Sequence, residues 1–186
     1  MKRISVALFA AILWSTLFVQ HTNAQETTQE KINWLTWEQA IEAQDKQPKK
    51  ILLNVYTEWC TWCKRMEETT LQQPAIAKYL NQNFYSVKFD AEQKGNLEYK
   101  DKTYKYVKNG NKGYHELAAE LLRGRLSFPS IVFLDEEMTV IQAISGFKTP
   151  EDFEQIITYF AKDYYKSTPW SSYIKSYKPI MVSDKH

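Results

Sequence analysis

The strongest constraint on this chain is Ile51-Leu52-Leu53-Asn54-Val55-Tyr56, a run broken only by Asn54 and leading directly to the sole two cysteines, Cys60 and Cys63. A short, nearly continuous apolar run with a β-branched residue suits a strand buried on both faces. Such a strand belongs in a sheet with helices packed on each side. The cysteines bracket Thr61-Trp62. A bridge across so short a loop restrains little of the unfolded chain, because loop-closure stabilisation grows with loop length. The pair is poorly placed to staple a fold and well placed for exchange.

Caps and periodicity outline the elements around that run. Residues 25–34 are mostly polar and read as a flexible lead-in. Thr36 with Gln39 forms a capping-box signature, predicting a helix that stops at Pro48. Lys64-Arg65-Met66-Glu67-Glu68 reads as helix, and Pro74 opens another where its missing N–H costs nothing. Residues 84–90 alternate as a strand. Residues 91–113 hold three of the five glycines among many lysines and tyrosines, and read as an irregular insertion. Leu117, Ala118, Leu121 and Leu122 recur at helical spacing. Residues 130–134 and 139–144, joined by Asp135-Glu136-Glu137, predict an antiparallel hairpin. Thr149 caps the last helix, Pro150 takes its first turn, and Phe153, Ile156, Ile157, Phe160 and Ala161 share one face. The tail, 164–186, is aromatic and basic and has no assigned place. A βαβ unit followed by a ββα unit around one mixed sheet is a three-layer α/β/α arrangement, expected over residues 35–163.

Residues 1–24 read as an address. Lys2 and Arg3 precede the mostly apolar residues 4–19, and Thr22-Asn23-Ala24 supplies a cleavage site, the pattern of a secretory signal peptide. The apolar run falls short of the roughly 20 residues a spanning helix requires. The mature chain is therefore expected in the periplasm or outside the cell, and not to span a membrane. Removing the leader takes two of the 24 Lys and Arg and none of the 22 Asp and Glu, which leaves the mature chain formally neutral. The net charge of +2 is thus no argument for nucleic acid as a partner.

Cys60 follows the buried strand and Cys63 lies one helical turn on, which puts Cys60 at a helix start. Unpaired N–H groups and the helix dipole there favour a thiolate. Cys60 is accordingly expected to be the exposed, attacking sulfur and Cys63 the resolving one. An inert disulfide and a metal site are the other readings of the pair. A structural zinc site needs about four ligands, and the only histidines are His21, His115 and His186. Covalent haem needs a histidine directly after the second cysteine, where this chain has Lys64. Neither a metal nor a cofactor is expected.

The stretch from Ile51 to Lys64, with Trp59-Cys60-Thr61-Trp62-Cys63, resembles the active-site strand and helix of thioredoxins. Residues 66–74 are most similar to the C-terminal periplasmic domain of the reductase DsbD and its relatives. Ser127-Phe128-Pro129-Ser130 matches the cis-proline position of that family, and Gly146 before a helix matches its end. The resemblance implies a thioredoxin fold with the insertion placed before the cis-Pro strand. It implies that Pro129 is cis and faces the cysteines, and that the Phe128 backbone pairs with an extended substrate segment. Trp59, Thr61, Trp62, Lys64, Asn54 and Glu58 would support the redox pair.

Two departures stand out. Many thioredoxins carry a buried aspartate where this chain has Asn54, and an amide cannot take up a proton. Resolution would then rely on Glu58, Lys64 or water, or Asn54 is simply a hydrogen-bonded core residue. Thr61-Trp62 replaces the family's Gly-Pro, so the direction of exchange is not inherited. The resemblance implies a reductase of protein disulfides, supplied with electrons by a membrane or periplasmic partner. A thiol oxidase or isomerase and a non-catalytic binding module are the alternatives. Tyr99, Tyr104, Tyr106 and Tyr114 make the insertion either a partner-binding lip or a solvated surface elaboration.

Overall fold

A computed structural model describes residues 30–181. The expected leader lies outside the described residues, as do residues 25–29 of the lead-in and 182–186 of the tail. The chain runs β1 (Trp34–Leu35), α1 (Trp37–Lys46), β2 (Ile51–Tyr56), α2 (Thr61–Met66), α3 (Pro74–Asn83) and β3 (Tyr85–Asp90). It continues through β4 (Leu97–Tyr99), β5 (Lys102–Tyr104), β6 (Tyr106–Asn109), β7 (Lys112–His115) and α4 (Glu116–Leu121). Last come β8 (Ser130–Leu134), β9 (Val140–Ser145), α5 (Pro150–Ala161) and α6 (Trp170–Ser176).

Five strands form one sheet in the order β1-β3-β2-β8-β9. β1 and β2 pair parallel with β3, while β8 pairs antiparallel with β2 and β9, so the sheet is mixed. The period of two along β2 divides the interior. Ile51, Leu53 and Val55 join a core with Trp37 of α1 and Leu117 and Leu121 of α4. Leu52 points to a second core built on α2, α3 and α5, with Met66, Leu80, Phe133 and Phe153. The result is a three-layer α/β/α body with β2 at its centre.

Local chemistry explains the helix ends. Thr36 Oγ1 accepts from the Gln39 amide at 3.2 Å while Gln39 Oε1 accepts from the Thr36 amide at 2.9 Å, a complete capping box. Thr149 Oγ1 caps α5 through the Asp152 amide at 3.2 Å. α2 begins at Thr61, between the cysteines, and runs on into a π-helical turn at Glu67–Leu71.

Three segments differ from expectation. Trp34, placed in the lead-in, belongs to β1 and pairs with Ser86 of β3. Residues 91–113, read as irregular, carry β4 to β7 as two antiparallel hairpins. Their strands are too short to show a period, and cross-strand pairing satisfies their backbone groups instead. Leu97, Tyr99 and Tyr104 turn inward against Trp37, and the lysines turn out. The tail folds back on α5. Tyr173 stacks among Tyr159, Trp170 and Tyr177, and the buried Glu154 carboxylate accepts from Tyr177 Oη and the Ile180 amide, both at 2.6 Å.

Phe133 has no exposed surface and its ring stacks on Phe160 at 4.2 Å between centroids. Phe133→Ala is expected to destabilise the protein by about 3–5 kcal/mol through lost transfer and a residual cavity. Urea unfolding of the oxidised protein reads this as a lowered midpoint at unchanged slope.

Candidate active site

β2 delivers the chain to the end of the sheet's central strand and a tight turn follows, with the Cys60 amide bonded to the Thr57 carbonyl at 3.1 Å. Cys60 is the N-cap of α2, in extended backbone geometry, and its sulfur accepts from the Cys63 amide at 3.1 Å. The Cys60 carbonyl accepts the Cys63 and Lys64 amides at 3.1 and 3.2 Å. Cys60 and Cys63 are joined in a disulfide. The amide that faces Cys60 Sγ is the donor a thiolate would need after reduction.

Cys60, expected to be exposed, is only 5% so, close to the 6% of Cys63. The exposed members of the motif are the indoles, Trp59 at 59% and Trp62 at 63%. Each indole leans on a ring from another element, Trp59 on Phe128 at 6.2 Å and Trp62 on Phe147 at 5.6 Å. The bonded sulfur pair lies low between these apolar shoulders. Thr61, the first residue of α2, is exposed.

The antiparallel pairing of β8 with β2 explains why Phe128 and Pro129 reach the site. Ser130, first in β8, is opposite Val55, near the end of β2. The residues just before β8 therefore meet the residues just after β2. The Phe128–Pro129 peptide bond is cis. The Pro129 carbonyl accepts the Gly146 amide at 2.8 Å, tying this loop to the end of β9. Lys148 closes that corner, its ammonium donating to the Ser145 and Gly146 carbonyls at 2.8 and 3.0 Å. Burial pulls the Lys148 pKa below its usual value.

Below the cysteines on the α2 side lies a cleft of about 300 Å³, lined by Asn54, Thr57, Glu58, Cys63, Lys64 and Glu67 among others. The cleft gathers Asn54, Glu58 and Lys64 from the residues the sequence nominated. Asn54 is not the satisfied core residue the sequence allows. Among the described residues its buried Oδ1 has no hydrogen-bond partner.

Sequence reading missed several neighbours. Glu67 pairs with Lys88 at 3.3 Å across the cleft, joining the turn after α2 to β3. Trp59 Nε1 donates to Glu92 at 3.0 Å, and the Lys112 ammonium stands 5.5 Å from the Trp59 ring. Glu67 was discoverable, since it stands one helical turn after Cys63. Lys88, Glu92 and Lys112 come from β3 and the insertion, and nothing in their local sequence points to the cysteines. His115 serves the insertion, accepting the Leu117 amide at 3.2 Å and donating to the Gly95 carbonyl at 2.8 Å.

A two-cysteine motif at a helix start, after the central strand of a mixed α/β/α sheet and beside a cis-proline loop, defines a thioredoxin-fold protein. The chain belongs to the Thioredox_DsbH family, a protein of unknown function (DUF255), whose profile matches residues 18–168. Its structure is similar to a DsbH oxidoreductase, with a TM-score of 0.51 and 20% identity over 71% of this chain and 85% of that one. It is also similar to a thioredoxin from Thermus thermophilus, with a TM-score of 0.52 and 16% identity over 70% of this chain and 87% of that one. At those identities the likeness is one of fold. Spermatogenesis-associated protein 20 of Rattus norvegicus is 36% identical over 74 residues, which are 39% of this chain and 9% of that protein. The chain thus spans a small part of that relative's length.

The chemistry this arrangement supports is thiol–disulfide exchange. The Cys63 amide that faces Cys60 Sγ in the disulfide form is placed to serve a Cys60 thiolate on reduction, whereas Cys63 lies within the first turn of α2. Iodoacetamide at about pH 7 is expected to alkylate Cys60 at least about tenfold faster than Cys63. Peptide mapping against time checks this, and the reverse order would refute the assignment.

Proposed function

We propose that this protein is an exported thiol–disulfide oxidoreductase that reduces protein disulfides through a Cys60 mixed disulfide resolved by Cys63. The observation that carries the reading is the Cys63 amide directed at Cys60 Sγ at 3.1 Å, at the mouth of a helix. Cys60 as a thiolate attacks one sulfur of a substrate disulfide, and the other substrate sulfur leaves. Cys63 then attacks Cys60, releasing the second substrate thiol and leaving the Cys60–Cys63 disulfide.

The other residues take supporting roles. Trp59 and Trp62 offer apolar contact on either side, and the Phe128 backbone beside Pro129 offers an edge for an extended segment. Thr61, Glu58, Lys64 and Asn54 shape the immediate surroundings of the two sulfurs. The leader pattern in residues 1–24 supports a periplasmic or secreted location. No helix among the described residues is long and apolar enough to cross a membrane. Regeneration of the dithiol requires an external electron donor of membrane or periplasmic origin, since the protein's own chemistry ends at the disulfide.

Titration of the Cys60–Cys63 couple against buffers of known potential tests the direction. A value near about −270 mV supports the reductase, and one near about −120 mV makes the protein an oxidant. A Cys63→Ala variant is expected to accumulate disulfide-linked adducts on Cys60 from a periplasmic extract. A couple that does not exchange, together with a variant that traps nothing, would leave a non-catalytic binding module.

A further inference from the structure

β9 is the outermost strand of the sheet, and among the described residues no strand pairs with its free side. The Gly146 amide bonds to the Pro129 carbonyl, so residues of that parity turn their backbone groups toward β8. Ala143 and Ser145, out of step by one, turn theirs away from the sheet. Their carbonyls are held at the surface by nearby side chains. Gln142 Nε2 donates to Ala143 at 3.2 Å and Lys148 Nζ to Ser145 at 2.8 Å.

Beside this edge, on the α5 face, runs a trough of about 740 Å³. Ile144 of β9, Ile156 and Phe160 of α5, and Tyr165 and Trp170 of the tail line it. Phe147 lines it as well, and the same ring leans on Trp62 between the cysteines at 5.6 Å. The trough is therefore continuous with the redox mouth. Its size and its apolar, aromatic lining are those of a binding groove.

We propose that the free edge of β9 and this trough take up an extended segment of the substrate polypeptide, which adds to the sheet as a sixth strand. The inference rests on the thiol–disulfide reading above and names its substrate class: unfolded or partly folded chains with apolar residues at alternate positions beside the disulfide.

The backbone identifies the occupant as a polypeptide. Two outward carbonyls two residues apart are acceptors at the repeat of a strand's own amides, and a lipid or other apolar small molecule has no such donors. The Gln142 and Lys148 side chains that hold them are flexible, so an incoming amide can replace each bond. Lys148 then keeps its bond to the Gly146 carbonyl at 3.0 Å. Every second side chain of the added strand points to the α5 face, where the trough is apolar. The charges on the trough, Lys148 and Asp152, are opposite in sign and select no charged segment.

Position and edge shape fit a short segment of substrate. Ser145 is opposite Ser130, the residue after Pro129, so a chain tethered to Cys60 meets the edge within a few residues. At the far end Phe133 opposes Gln142 and Leu134 opposes Val140, which leaves Ile141 as a bulge. A bulge interrupts the long flat edge that two copies of the chain would need to pair edge to edge.

The first measurement uses the oxidised protein and a labelled, cysteine-free peptide of about ten residues with valine or isoleucine at alternate positions. By fluorescence anisotropy it is expected to bind at least about tenfold more tightly than a peptide of the same composition without the alternation. Ala143→Pro removes an amide that faces away from β8 and puts a ring on the edge, leaving the pairing with β8 in place. Trp170→Ala opens the far wall of the trough without touching the sheet, and thermal unfolding checks that both variants fold. Each is expected to weaken the alternating peptide at least about fivefold. Oxidation of the reduced variants by glutathione disulfide should keep the wild-type rate, since so short a molecule does not reach the trough. When the alternating pattern flanks a cysteine joined to glutathione, both variants should raise KM for its reduction and leave kcat unchanged. Equal affinity for the two peptides, or wild-type affinity in both variants, would overturn the proposal. So would a wild-type dimer in sedimentation that Ala143→Pro dissociates, which would give the edge to a second copy. A wild type that does not exchange with glutathione disulfide would instead defeat the oxidoreductase reading, whatever the peptide affinity.

Discussion

Burial of β2 on both faces is the constraint on which the rest of the structure depends. Ile51, Leu52, Leu53 and Val55 are all fully buried, and each contributes about 1.5–3 kcal/mol of hydrophobic stabilisation. That gain requires a layer of helices on each side and a strand at each edge. The sheet order puts β3 beside β2 on one side and β8 beside it on the other. The parallel neighbour brings Lys88 beside Asn54, and the antiparallel neighbour brings the cis-proline loop beside the redox turn. Both halves of the candidate site are thus consequences of how one strand is hidden from water.

Several residues that break ordinary folding rules lie in that strand or just after it. Two large indoles, Trp59 and Trp62, are left mostly in solvent, while the oxygens of Asn54 and Thr57 are buried without partners. Tyr164 and Trp170 are exposed elsewhere, and Tyr79, Ser86 and Thr158 hold other unpartnered oxygens, but the two indoles are the most exposed large apolar side chains among the described residues. Rule-breaking of both kinds at one place marks a surface shaped for contact and chemistry.

The insertion and the tail contribute differently. The insertion fills the core side with Leu97, Tyr99 and Tyr104, and extends Lys112 over the Trp59 indole while Glu92 takes its N–H. It therefore shapes one shoulder of the site. The tail packs on α5 through Tyr173 and Glu154, and Lys50 joins the β8–β9 turn to Asp163 through ion pairs at 2.8 and 3.1 Å. Its work is to close the second core.

Much of this was legible in the sequence because it is local. A capping box, a proline at a helix start, a double-sided apolar run and two cysteines one turn apart are all read within a few residues, and α1, β2, α3 and α5 follow from them. The short hairpins of the insertion, the two-residue β1 and the docking of the tail were not legible, since their stability comes from pairing and packing with distant segments. The same division runs through the site. Cys60, Cys63, Trp59 and Trp62 declare themselves by spacing. Only the tertiary structure decided that Lys88, Glu92 and Lys112 would join them, that Cys60 would lie covered, and that Asn54 would face a cleft. Register and layer packing set those contacts between residues far apart in the chain, and no periodicity in the sequence records them.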